Sequence, residues 1–117
     1  MSMPVVYGIP NCDTVKRART WLAAQGVAVQ FHDVKKAGVP AEQLAAWINS
    51  AGWQRLLNRQ GTSFRKLDET QKNAVVDATS ASAVMLAQPS TIKRPVVQWP
   101  DGTITVGFDE ADFARRV

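Results

Sequence analysis

Cys12 is the residue of this sequence whose type and position best suit chemistry, because it lies where an apolar run ends and a helical pattern begins. Unpartnered backbone N–H groups at a helix N-terminus, with the positive end of the helix dipole, favour an anion there. A thiol in that place shifts towards the thiolate, which is the nucleophilic form of cysteine. The charge of Asp13 opposes this shift. The position therefore predicts a reactive cysteine at a helix start.

A lone cysteine also has a second interpretation, as a small buried apolar side chain. Pro10 and Asn11 before Cys12 and Asp13 after it favour an exposed turn over a core position. Because the chain contains one cysteine, no internal disulfide can form. An oxidised Cys12 must therefore be reduced by an external thiol, through a mixed disulfide.

The remaining polar residues predict no second site. His32 is a lone histidine on the polar side of a predicted strand, where we expect it to be exposed. No set of His, Cys, Asp and Glu has the spacing of metal ligands, so we expect no metal. Lys16, Arg17 and Arg19 are typical of a solvated helix face, although Lys16 lies one turn from Cys12 and could contact an anion.

Composition limits the classes of protein to which the chain could belong. Its 117 residues are 45% apolar and 21% charged, as in a globular protein of one domain. The net charge of +4 comes from scattered basic residues, which suits an anionic small molecule or an acidic partner surface better than direct binding to nucleic acid. There is no run of membrane-span length, and the stretch Met1 to Tyr7 does not resemble a secretory signal. With a single cysteine, we expect a cytoplasmic protein.

Hydrophobic periodicity predicts the elements that position Cys12. The predicted order is strand, helix, strand, a helical block, a hairpin and a final helix. Two strands joined by one helix should lie parallel. The predicted segments are strands over 4–9 and 27–32 around a helix over 13–25, a helical block over 39–88, and hairpin strands over 96–99 and 103–108 before a helix capped by Asp109.

Within the helical block, capping residues predict the helix boundaries. Asp68 with Gln71 resembles a capping box. The polar stretch 58–66 is expected to be an exposed loop. The predicted helices cover 41–50, a turn or two over 53–57, 68–78, and a last helix that is capped by Thr79 or Ser80 and ends before Pro89.

Three separated segments resemble the arsenate-reductase-like (ArsC) family, which also includes the Spx regulators, and within it the branch called YffB. The resemblance implies an α/β, thioredoxin-like fold with a four-stranded mixed sheet in βαβ … ββα order. It implies a single domain over 1–117, with the helical insertion of about 39–88 between strands 2 and 3. The segments are VYGIPNCDTVKRA at 6–18, LLNRQGTSFRKL at 56–67 and IKRPVV at 92–97.

The resemblance also implies a chemistry and shows where this chain departs from it. The family's reductases attack arsenate with a cysteine at the position of Cys12, form a mixed disulfide with glutathione, and hold the oxyanion with three arginines. Arg94 matches one of these arginines. The first falls at Asn58, with Arg59 beside it as a substitute, and the third falls at Gly107. Because bidentate arginine contacts are strong, we expect poor or no arsenate reduction.

The predicted function is a glutathione-dependent thiol–disulfide reductase that binds no cofactor and uses glutathione as co-substrate, with glutathione or a glutaredoxin-type protein as reductant. In thioredoxin-like folds a cis-proline faces the reactive cysteine, so the resemblance implies a cis Arg94–Pro95 bond. The predicted site consists of Cys12 as nucleophile and, for glutathione or substrate, Asn11, Thr14, Lys16, Arg59, Arg65, Lys93, Arg94 and Pro95.

Two other functions stay open. The first is a Spx-like regulator that binds RNA polymerase without catalysis. Oxidation-sensing Spx proteins use a C-x-x-C motif whose fourth position is Val15 here, and Gly52 matches a glycine of their binding surface but also suits a helix end. The second is a redox-inert member in which Cys12 is structural.

Overall fold

The computed structural model describes residues 3–117; Met1 and Ser2, part of the N-terminal stretch considered as a signal, lie outside the described residues. Within that range no helix is long and apolar enough to cross a membrane. The strands are β1 Val5–Gly8, β2 Gln30–Asp33, β3 Val96–Gln98 and β4 Ile104–Val106. The helices are α1 Asp13–Ala24, α2 Val34–Ala37, α3 Ala41–Ala51, α4 Trp53–Leu56, α5 Thr62–Arg65, α6 Glu69–Asn73, α7 Ala78–Ala87 and α8 Glu110–Arg116, with a 3-10 turn over Pro89–Thr91.

The chain divides into two compact units, of which the first contains the sheet and consists of the chain up to Ala37 together with Arg94–Val117. Its strands are ordered β2-β1-β3-β4. β1 pairs with β2 in parallel, with Val6 opposite Phe31, and with β3 in antiparallel, with Val6 opposite Val97. β3 and β4 are antiparallel. The predicted α/β fold with a mixed four-stranded sheet is confirmed.

The core of the first unit explains why α1 lies against the sheet. Val15, Ala18 and Leu22 recur at helical spacing and are buried, so one face of α1 is apolar. Ala18 and Leu22 of this face belong to a buried apolar cluster, which consists of Val6, Ala18, Leu22, Val97, Trp99 and Phe113. Partly buried apolar side chains pack against this cluster: Trp21, Val27, Val29, Phe31 and Phe108.

The C-terminal hairpin and helix follow the sequence prediction closely. Gly102 occupies the turn with a φ of +91°, and its N–H donates to the carbonyl of Trp99. The Asp109 side chain accepts a hydrogen bond from the N–H of Asp112 and caps α8. Phe113, on the buried face of α8, makes an edge-to-face contact with Trp99 at 5.0 Å between ring centroids.

The second unit, Gly38–Lys93, is helical. Gly52 ends α3 with a φ of +86°, a backbone conformation that favours glycine. The N–H of Lys93 donates to the carbonyl of Leu56 at 2.7 Å. The buried apolar side chains of the second unit include those of Leu44, Trp47, Leu56, Leu57, Phe64, Val75, Ala81, Met85 and Ile92.

Helix boundaries in the second unit differ from several predictions. The stretch 58–66 is not all exposed loop, because α5 forms within it and buries Phe64. The capping box of Asp68 and Gln71 is confirmed, but α6 ends at Asn73 rather than 78. The reason is that Asp77, and not Thr79 or Ser80, caps α7, accepting a hydrogen bond from the N–H of Ser80.

Two further differences concern β2 and its surroundings. β2 begins at Gln30 rather than 27. The N–H of Val27 donates a hydrogen bond to the carbonyl of Leu22 near the end of α1, so it does not pair with a neighbouring strand. His32 is half-buried and not simply exposed, with its ring centroid 5.0 Å from that of Tyr7. Both differences arise from contacts that the alternation of residues does not encode.

Candidate functional site

Cys12 is the N-cap residue of α1 and lies immediately after the loop that leaves β1. Its backbone is extended, with a φ of −129° and a ψ of 124°, and its carbonyl accepts a hydrogen bond from the N–H of Lys16 at 2.9 Å. The side chain is partly exposed. The strand end and the helix start thus hold the thiol at the surface, where an external reagent can reach it.

Opposing effects set the ionisation of Cys12. Burial raises the pKa of the thiol. The N–H groups of Val15 and Thr14 and the guanidinium of Arg94 lower it, and their combined effect holds the pKa below its ordinary value. Although the neutral thiol makes no capping hydrogen bond, these groups favour the ionised sulfur. The arrangement therefore supports a nucleophilic thiolate.

Arg94 and Pro95 immediately precede β3, and Arg94 acts on the thiol at the start of α1. The Arg94 guanidinium acts on the Cys12 sulfur both as a hydrogen-bond donor and as a positive charge. The Arg94–Pro95 peptide bond is cis, and Pro95 is buried. The Pro95 carbonyl accepts a hydrogen bond from the N–H of Gly107 at 2.8 Å.

Gly107, which stands where the family's third arginine would fall, has a constrained backbone. Its φ is +88°, although a Cβ added there would meet no heavy atom within 4 Å. Space is thus available for a larger side chain, but the backbone conformation disfavours one. At this position the chain has no side chain to bind an anion, and its backbone disfavours the introduction of one.

The other predicted residues of the first unit have different surroundings. Asn11 is exposed and precedes Cys12 in the loop. Thr14 is half-buried and contributes its backbone N–H to the electrostatics of the thiol. Lys16 is exposed and lines a shallow groove along α1 together with Arg19, Thr20, Ala23, Val27 and Val29.

Arg59, Arg65 and Lys93 belong to the second unit and are exposed. The Arg59 guanidinium carbon lies 5.6 Å from the ring centroid of Trp53 and 5.8 Å from that of Phe64, which are cation–π distances. Arg65 is the last residue of α5. Their assignment to glutathione binding stays a prediction.

Sequence analysis did not find the roles of two residues near Cys12. Val15 was considered only as the fourth position of the C-x-x-C comparison, yet its N–H is foremost among the groups that lower the pKa of the thiol. Gly8 was not singled out, yet a Cβ added to it would lie against the side chain of Val15. Glycine at a strand end before a helix was the available signal for a close approach.

No group of three His, Cys, Asp or Glu residues within 3–117 is arranged to hold a metal ion. The site as described is one thiol, one guanidinium and the N–H groups of a helix start. Such a set can stabilise a thiolate and bind an anionic group next to it.

Comparisons of the sequence and of the structure with known proteins identify the same family. The sequence model of the ArsC family matches residues 7–115. The solved structure of the YffB protein is 51% identical, covers 97% of this chain and 98% of its own, and superposes with a TM-score of 0.92. An arsenate reductase (ArsC) related protein from Brucella melitensis is 48% identical, with 97% and 93% of the two chains covered and a TM-score of 0.75.

Two curated relatives extend the comparison. An uncharacterized protein from Haemophilus influenzae is 40% identical over 111 residues, which cover 95% of this chain and 96% of that protein. A global transcriptional regulator Spx from Streptococcus pyogenes is 22% identical over 114 residues, which cover 95% of this chain and 82% of the regulator.

Proposed function

This chain belongs to the ArsC family, and from that premise we propose that it is a glutathione-dependent thiol–disulfide reductase with Cys12 as its single nucleophile. The observation that supports this most strongly is the position of the partly exposed thiol between the start of α1 and the guanidinium of Arg94, which together favour its thiolate. Oxidoreductase chemistry agrees with the name of the Brucella melitensis relative, an arsenate reductase (ArsC) related protein.

The proposed reaction has two balanced exchange steps. The Cys12 thiolate attacks the glutathione sulfur of a mixed disulfide, so that a Cys12–glutathione disulfide forms and the substrate leaves as a thiolate. The thiolate of a second glutathione then attacks the glutathione sulfur of that adduct. Cys12 is released as a thiolate, and the two glutathiones leave as oxidised glutathione. An external thiol is required because the chain has no second cysteine, and we propose glutathione for that role.

Arg94 has two proposed roles in this reaction. Its positive charge favours the attacking thiolate and, in the adduct, pairs with a glutathione carboxylate. Thr14 and Val15 stabilise the thiolate through their N–H groups. Asn11, Lys16, Arg59, Arg65, Lys93 and Pro95 are proposed as further glutathione or substrate contacts.

Reaction with oxidised glutathione tests the proposal. We expect a single adduct on Cys12 by intact-mass spectrometry, formed faster than on an unstructured peptide of the same local sequence. Arg94→Ala should form it several-fold more slowly, whereas Arg17→Ala, which removes the same charge from an exposed position of α1, should not. Predominant Cys12–Cys12 dimers, or a folded protein that reacts more slowly than the peptide, would contradict the proposal.

We further propose that arsenate is a poor substrate. Asn58 and Gly107 stand where the family's arginines bind the oxyanion, and each missing charged contact costs about 1.5–3 kcal/mol. Glutathione-coupled arsenate reduction should therefore be far slower than reduction of a glutathione mixed disulfide. Asn58→Arg is the suitable restoring variant, because arginine at position 107 would adopt a strained backbone. Arsenate turnover comparable with that of the mixed disulfide would contradict this prediction.

Similarity to Spx supports a second candidate function, binding to RNA polymerase without catalysis. Gly52 is weak support for it, because its φ of +86° at the end of α3 gives that glycine a structural reason. The variant Cys12→Ser separates the two functions. Pull-down of RNA polymerase by both the original protein and this variant would favour the regulator, whereas loss of disulfide exchange without any polymerase binding would favour the reductase.

A further inference from the structure

Gly8, the last residue of β1, lies against the first turn of α1. A Cβ added to it would stand 2.8 Å from Cγ2 and 3.1 Å from Cγ1 of Val15. Both residues are buried, and Val15 is 0% exposed. The contact is one of space and not of backbone conformation, since Gly8 is not among the glycines with positive φ. The methyl groups of Val15 thus occupy the volume that any other side chain at position 8 would fill.

Val15 is also the residue whose N–H is foremost in favouring the Cys12 thiolate. As the third residue of α1, it presents that N–H towards the N-cap residue. Its side chain is β-branched and therefore restricted in χ1, so its methyl groups cannot readily turn away from a neighbour. Displacing the Val15 side chain would displace the helix start and the N–H with it.

We propose that Gly8 is a positioning residue for the Cys12 thiolate, because the space it leaves seats Val15 and so holds the Val15 N–H against the sulfur. The inference deepens the proposed function, since it concerns the thiolate that attacks the disulfide. Among the described residues, the guanidinium of Arg94 acts on the Cys12 thiol, and the exposed Asp13 follows Cys12 in the chain. Neither is altered by a change at position 8.

The contact distances provide a pair of variants that compensate for each other. In Gly8→Ala the new methyl group overlaps with both Val15 methyl groups. In Val15→Ala the space beside Gly8 that the two Val15 methyl groups occupied is left empty. In the double variant the two Cβ atoms lie 3.6 Å apart, which is ordinary van der Waals contact. The double variant therefore restores a contact without overlap, and its new methyl group fills part of the space that the two lost Val15 methyl groups leave.

The experiment measures the rate of Cys12 alkylation by iodoacetamide against pH for the four proteins, with Cys12→Ser as the blank. We expect each single variant to move the midpoint to higher pH and to slow alkylation several-fold at neutral pH. The double variant should return the midpoint towards the original value, which is a non-additive result. A solely structural role for the contact would lower Tm without moving the midpoint.

Two outcomes would overturn the proposal: a folded single variant, checked by circular dichroism, with an unchanged midpoint, or a double variant whose midpoint is shifted by the sum of the two. If Gly8→Ala does not fold, the comparison of Val15→Ala with the double variant decides in the same way. Because iodoacetamide needs no glutathione pocket, this result is independent of whether the protein reduces glutathione disulfides. Failure of the proposed function would instead appear as absence of the glutathione adduct in a protein with a low midpoint.

Discussion

At the scale of single residues, the ionisation of Cys12 depends on a balance of effects at its sulfur. Burial of the Cys12 thiol opposes ionisation, while two backbone N–H groups and the guanidinium of Arg94 favour it. The favourable contributions come from two places in the chain, the first turn of α1 and the residue before β3. A substitution at either place should therefore alter the reactivity of the thiol although Cys12 itself is unchanged.

The pH dependence of Cys12 follows from this balance. Since the pKa is lowered, the alkylation rate should reach half its maximum below about 8.5, the value of an unperturbed cysteine. Arg94→Ala should move that midpoint upwards, because it removes a hydrogen bond and a positive charge, whereas Arg17→Ala should leave it in place. A midpoint at or above 8.5 in the original protein would contradict the prediction.

The same shift affects folding stability. A group whose pKa is lower in the folded state contributes stability above its unfolded pKa and loses it as the pH falls through its folded pKa. The original protein should therefore gain stability relative to Cys12→Ser as the pH rises through that window. Urea unfolding at several pH values measures this difference. A difference that stays constant with pH would show that the thiol ionises equally in both states.

At the scale of elements, α8 closes the core of the first unit through one side chain. Phe113 is 1% exposed and makes edge-to-face contacts with Trp99 and Phe108, each at 5.0 Å between centroids. Edge-to-face geometry adds to the burial of the ring. The terminal helix is therefore a structural part of the unit that contains Cys12.

Phe113→Ala should lower the free energy of unfolding by about 3–5 kcal/mol, because it removes a buried aromatic ring and leaves a cavity. Urea or thermal unfolding followed by circular dichroism would measure the loss. Val117→Ala is the matched control on the same end of the chain, since Val117 is 50% exposed, and it should change stability little. Equal effects of the two substitutions would show that α8 contributes little to the core.

The elements also show what sequence could and could not predict. The strand before Cys12, the helix after it and the hairpin were predictable because apolar spacing and Gly102 report local geometry directly. The boundary between α6 and α7 was not, because Asp77 competes with Thr79 and Ser80 as the cap. α5 was missed because a single buried phenylalanine in a polar stretch gives no period.

At the scale of the whole molecule, the candidate site could be predicted only in part. Cys12 and Arg94 were chosen from position and from the resemblance, and Arg94 is among the groups that lower the pKa of the Cys12 thiol. Their roles in a reaction stay a prediction. A glycine at the end of a strand signals a close approach at position 8, but the sequence does not say that Val15 is the side chain that fills the space. Likewise, the helix start predicts that backbone N–H groups favour the thiolate, but the sequence does not say which of them has the largest effect.

The backbone at Gly107 restricts the order in which substitutions can accumulate. A change from a glycine codon to an arginine codon needs a single nucleotide, so the family's third arginine is close in mutational distance. At a φ of +88°, however, a side chain costs folding stability of about 1–2 kcal/mol before it can bind any anion. A substitution that first relaxes the loop would remove this cost, so the order in which two such substitutions occur decides whether the intermediate variant is destabilised.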